Sequence, residues 1–112
     1  MYNNNVKIMQ RVAFTMKLFA GKAAEYKKRH HEIWPELKSL LHQAGIRTYS
    51  IFLDEATNTL FGYLTIADAT KLDELPKEPV MQKWWAYMQD IMETNADHSP
   101  VSMPLEEVFY LA

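Results

Sequence analysis

Arg11-Val12-Ala13-Phe14-Thr15-Met16-Lys17-Leu18 sets Val12, Phe14, Met16 and Leu18 on one side of an extended chain and Arg11, Thr15 and Lys17 on the other. Side chains of a strand alternate between its two faces, so this stretch reads as a strand with one face buried. Thr48 to Leu53 and Leu60 to Ile66 read the same way. The polar segment Asp54-Glu55-Ala56-Thr57-Asn58-Thr59 between them is short enough for a hairpin connection. Leu105 to Leu111 reads as a fourth strand, after a loop from Asn95 to Met103.

Helical signals fill the gaps between these strands. Gly21 opens a stretch of good helix formers from Lys22 to His31. Pro35 lacks an amide proton and clashes with the preceding turn, so the helix is expected to break near Ile33-Trp34 and a second short helix to start at Pro35. There Leu37, Leu40 and Leu41 form a core-facing stripe, and Gly45 is placed to end the helix. Asp68 is suited to cap a brief helix, which Pro76 and Pro79 then interrupt. Val80 to Met92 reads as a strong helix with Met81, Trp84, Trp85, Met88 and Met92 among its apolar positions.

Strand, helix, strand, strand, helix, strand is an α+β order. One four-stranded antiparallel sheet with helices on one face satisfies it, the ferredoxin-like arrangement. The other face of the sheet still needs a cover, either a ligand pocket or the same face of a second subunit. Residues 1–8 read as a polar tail ahead of a single domain over 9–112.

The chain has 112 residues, enough for one domain with a real core, and its 48% hydrophobic and 23% charged composition is that of a folded protein rather than a disordered one. A net charge of −2 gives no attraction to nucleic acid or anionic lipid. The basic run Lys27-Lys28-Arg29, flanked by Glu25 and Glu32, reads as a solvated helix face. With no cysteine there is neither a disulfide framework nor a thiolate metal site. No stretch has the apolar length of a membrane span or of a secretion signal, which makes the cytoplasm the default setting.

Several chemistries are disfavoured by spacing. The histidines are His30, His31, His42 and His98, and adjacent helical residues diverge by about 100°, so His30 and His31 are poorly placed to chelate one ion. No His-x-x-x-His or Glu-x-x-His pair exists, and Gly21, Gly45 and Gly62 are too isolated for a nucleotide loop. No metal and no cofactor is expected.

What remains is Tyr26 and His30, one helical turn apart on one face. Histidine exchanges protons near neutral pH, which suits acid–base work, although a surface or capping histidine fits the same residue. The Trp84-Trp85 pair cannot turn both rings to one core. One ring can anchor packing while the other lines a sugar-binding cavity, or the pair can serve the core and a dimer contact. Tyr49, in phase with Ile51 and Leu53, carries a hydroxyl whose partner is protein, water or substrate.

These residues fall within a pattern that resembles the L-rhamnose mutarotases, small proteins of the dimeric alpha-beta barrel group. The matching stretches are Arg11-Val12-Ala13-Phe14, Glu25-Tyr26-Lys27-Lys28-Arg29-His30, Ile33-Trp34-Pro35-Glu36-Leu37 and Tyr49-Ser50-Ile51-Phe52-Leu53-Asp54. They continue in order through Gln82-Lys83-Trp84-Trp85-Ala86-Tyr87-Met88, Ser99-Pro100-Val101-Ser102 and Glu107-Val108-Phe109-Tyr110-Leu111. The resemblance implies an isomerase that interconverts the anomers of L-rhamnose, without cofactor, as a homodimer. It implies that His30 is the proton donor and that Tyr26, Tyr49, Trp84 and Trp85 bind the sugar. The base stays open between a tyrosine, a water and a second role for His30.

One departure stands out. His31-Glu32 occupies the place where the family usually has Asn-Pro, which should let the helix run slightly further. Two other readings share these residues: a cofactor-free monooxygenase of the same barrel group, and a non-catalytic sugar-binding module.

Overall fold

The structure is a computed structural model that describes residues 8–112, so all but the last residue of the expected 1–8 tail lies outside it. Strand β1 runs Gln10–Lys17, helix α1 Ala23–His31, helix α2 Pro35–Gln43, β2 Ile46–Asp54 and β3 Thr59–Ile66. A 3₁₀ segment Ala69–Lys77, helix α3 Pro79–Met88 and strand β4 Ser102–Leu105 complete the chain. The strands form one antiparallel sheet in the order β2-β3-β1-β4, the ferredoxin-like topology.

Register carries the alternation of β1 across the sheet. Phe14 lies opposite Gly62 and Met16 opposite Leu60, while Tyr49, Ile51 and Leu53 of β2 lie opposite Leu64, Gly62 and Leu60. All these residues share the face that the helices cover; there Met16 and Leu60 build the core with Leu37, Met81, Trp84, Met88, Ile91 and Met92, Phe14, Ile51 and Leu53 pack against it, and Tyr49 stays partly exposed. The helix stripe behaves as its spacing requires: Leu37 is buried, and Leu40 and Leu41 pack against the same core. Gly45 takes φ +95°, the left-handed conformation that ends α2. Asp68 caps the 3₁₀ segment by accepting from the Thr70 amide at 3.0 Å.

Three boundaries differ from the sequence expectation. The last strand is Ser102–Leu105 rather than Leu105–Leu111. Pro104 argues against a strand locally, yet β4 is an edge strand, where a missing amide costs little. The segment after Leu105 leaves the ladder and is tied to β1 by side chains instead. Arg11 makes a fork to the Glu107 carboxylate at 2.9 to 3.2 Å and lies 3.5 Å from the centre of the Tyr110 ring.

Helix α3 stops at Met88 instead of Met92. Its continuation is diverted to the end of β1, where the Phe19 amide donates to the Ile91 carbonyl at 2.9 Å and the Glu93 amide to Lys17 at 3.0 Å. Backbone groups used this way cannot extend a helix. Pro79 does not interrupt α3 but begins it, at the position where proline's missing amide is harmless.

Candidate active site

Helix α1 turns Tyr26 and His30 toward the sheet, one above the other. Their rings are stacked with centroids 4.2 Å apart and planes 23° from parallel. His30 Nδ1 lies 3.0 Å from the Tyr26 carbonyl oxygen. A carbonyl only accepts, so Nδ1 carries the hydrogen and neutral His30 has its lone pair on Nε2. Among the described residues no protein group bonds Nε2, and no buried side-chain nitrogen or oxygen lacks a partner. Nε2 is therefore open to the space in front of it.

That space is a cavity of about 1140 Å³ between the helices and the sheet, lined by Tyr26, His30, Tyr49, Trp84 and Trp85 together. All five residues singled out in the sequence meet there. The tryptophans divide as neighbouring helical positions should. Trp84 is only 6% exposed and meets the His30 ring edge-on, centroids 5.4 Å apart, whereas Trp85 is half-buried. Both rings nevertheless face the cavity, so Trp84 is core and wall at once.

Two residues gained a supporting role at the site that their place in the sequence did not give them. Trp34 stands edge-on to Trp84 at 5.1 Å and tilts against Tyr87 at 5.6 Å, bracing the wall from behind. The sequence marked Trp34 only as part of the Ile33–Leu37 match and by the helix break at Pro35, which holds it in an extended conformation just ahead of α2. Phe14 meets Tyr49 at 6.2 Å and fills the space over Gly62, where a Cβ would fall 2.5 Å from its ring. Gly62 is the gap that lets this ring support the tyrosine.

Electrostatics sort the polar groups. Burial lowers the His30 pKa below the ordinary histidine value, helped by the charge of His31 and opposed by the bond to Tyr26. Burial pushes the Tyr49 phenol up to about 12 and raises Tyr26 as well. Both phenols therefore keep their protons at neutral pH and can donate hydrogen bonds into the cavity. The Tyr26 hydroxyl is not sealed away without a partner.

The basic run is only partly a solvated face. Lys27 and Lys28 are exposed, but the Arg29 side chain is 10% accessible and pairs with Glu25 and Asp90 at 2.8 Å each. His31 is exposed at the cavity rim. The Glu32 amide donates to Lys28 at 3.1 Å, a bond that proline could not make, so α1 extends through His31 before it caps. Among the described residues no group of three or more histidines or carboxylates is arranged to hold a metal ion.

Comparison with known proteins places this constellation. The family model described as L-rhamnose mutarotase matches residues 11–111. An L-rhamnose mutarotase of Mesorhizobium japonicum is 60% identical over 92% of this chain and 98% of its own length. One of Lachnoclostridium phytofermentans is 53% identical over 92% and 99%. The crystal structure of an L-rhamnose mutarotase from Formosa agariphila superposes with a TM-score of 0.86 at 50% identity, covering 92% of this chain and 99% of that one. The match runs from the first strand through the cavity walls to the tail, and the chain belongs to the L-rhamnose mutarotase family.

Proposed function

We propose that this chain interconverts the α and β anomers of L-rhamnopyranose by opening and reclosing the ring, with His30 moving the proton. The observation that carries the assignment is the pinned imidazole. Nδ1 is committed to the Tyr26 carbonyl, so proton exchange with a ligand runs through Nε2.

The anomeric hydroxyl oxygen and the ring oxygen are bonded to the same carbon, so one nitrogen can serve both. Neutral Nε2 takes the anomeric hydroxyl proton. The electron pair of that oxygen forms the aldehyde carbonyl, and the bond from the anomeric carbon to the ring oxygen breaks with its pair on the ring oxygen. The imidazolium returns its proton there. Rotation about the bond beside the aldehyde and reversal of these steps closes the ring on the other face. His30 is thus base and acid in turn. Tyr26 and Tyr49, protonated at neutral pH, are suited to hold sugar hydroxyls, and Trp84 and Trp85 to cover the apolar face of the ring.

The uncovered sheet face supports a homodimer as the working unit. Phe52 and Met103 are 67% and 64% exposed there, beside Phe61, Tyr63 and Leu105, an exposed apolar cluster of the kind that marks a contact between subunits.

Saturation-transfer NMR on the anomers of L-rhamnose tests the reading. His30→Ala should slow exchange by about 10²–10⁴-fold with the fold intact, as loss of an acid–base group does. Unchanged exchange in that variant overturns it. Binding of the sugar with no acceleration by the unaltered protein would make the cavity a binding module only.

A further inference from the structure

We infer that Arg29 is the positioning residue of this site, clamping the helix that carries His30 to the end of the helix that carries Trp84. The inference rests on His30 as the proton-transferring group. Arg29 sits beside His30 in sequence, so the two side chains leave α1 about 100° apart. His30 meets Trp84 near the cavity, while Arg29 reaches the last turn of α3.

The reach is unusually complete. Arg29 Nη1 donates to the Tyr87 carbonyl at 2.7 Å and to Asp90 Oδ1 at 2.8 Å, Nη2 to Asp90 Oδ2 at 3.2 Å, and Nε to Glu25 Oε2 at 2.8 Å. The guanidinium also lies 4.5 Å from the centre of the Tyr87 ring. The Tyr87 carbonyl is among the last four of α3, which have no partner within the helix, so Arg29 caps α3 with a cation at its negative end. Glu25 binds the same guanidinium from one turn earlier on α1 and restricts its rotamers.

A planar fork bound to two acceptors at the end of α3 fixes direction as well as distance, which an ammonium cannot do. Because the clamp is one residue from His30, it sets both the height and the rotation of the imidazole relative to Trp84. Proton transfer at Nε2 depends on such placement, and a displacement of about 1 Å can cost on the order of 10²-fold in rate.

The test compares Arg29→Lys and Asp90→Asn with the unaltered enzyme, by anomer-exchange kinetics and thermal unfolding. Asp90 is exposed, so its variant folds even where the arginine change does not. Both should lose about 10- to 100-fold in kcat with KM within about twofold, the signature of a misplaced reacting group rather than lost binding. Gly45→Ala serves as the control: its positive φ makes the change destabilising, at the far end of α2, and kcat per folded molecule should not move. If Arg29→Lys and Asp90→Asn keep full kcat while His30→Ala is inactive, the clamp is merely structural and the inference fails. If His30→Ala is itself active, the reading of His30 fails first. A kcat loss in Gly45→Ala equal to that in Asp90→Asn would also overturn the inference, by tying the rate to stability alone.

Discussion

His30 shows how one hydrogen bond sets a residue's chemistry. Its pKa lies below the ordinary value, and in the proposed reaction the neutral form is the one that takes the first proton. Activity should therefore hold at neutral pH and fall only as pH drops through the lowered pKa, below the ordinary histidine value of about 6.5. His31 contributes to that lowering by like charge, so His31→Gln should raise the His30 pKa and shift the acid limb upward without changing the plateau. Exchange rates measured from pH 4.5 to 8 decide it, and an unmoved limb would make His31 irrelevant. The tryptophans separate by burial. Trp84→Ala should cost about 3–5 kcal/mol of stability because the ring is buried against Trp34, Tyr87 and His30. Trp85→Ala should mainly weaken sugar binding, and calorimetric titration beside thermal unfolding distinguishes the two. An equal stability loss at both positions would contradict this assignment. Tyr26, His30 and the tryptophan pair were legible because helical spacing and side-chain chemistry are local. Arg29 was not, since its partners Tyr87 and Asp90 lie some sixty residues away and a run of lysines precedes it.

At the scale of elements, local pattern and long-range pairing divided the work in the same way. Strand β1 and helix α2 could be read from alternation and from the leucine stripe, because one buried face is enough to impose each period. Strand β4 could not. Val108-Phe109-Tyr110-Leu111 has the better strand composition, but only Ser102–Leu105 lies opposite Ala13 to Met16, and pairing partners are not written in a single segment. The cross-strand pair of Phe14 and Gly62 carries the sharpest element-level expectation. Gly62→Ala would place a methyl 2.5 Å from the Phe14 ring, which must turn away and release its contact with Tyr49. Overpacking of this kind costs about 1–3 kcal/mol. Phe14→Leu in the same chain should recover much of the stability, and unfolding midpoints of the single and double variants check the coupling.

The whole molecule uses one sheet twice. Its inner face roofs the cavity, and its outer face carries the apolar residues that support a dimer. Sedimentation at tens of micromolar should show a dimer, and Phe52→Glu with Met103→Glu should shift it toward monomer. A monomeric unaltered chain would remove the dimer from the reading. Because β3 contributes to both faces, its neighbouring residues would answer to different partners in the proposed dimer. Phe61 and Tyr63 point to the outer surface, Leu60, Gly62 and Leu64 to the core. Defects from the first pair should deepen on dilution and be rescued by higher expression, while defects from the second set should ignore protein abundance. A saturation scan of residues 59–66 read at two expression levels would then oscillate from one codon to the next, spelling out two separate selective pressures interleaved in eight residues.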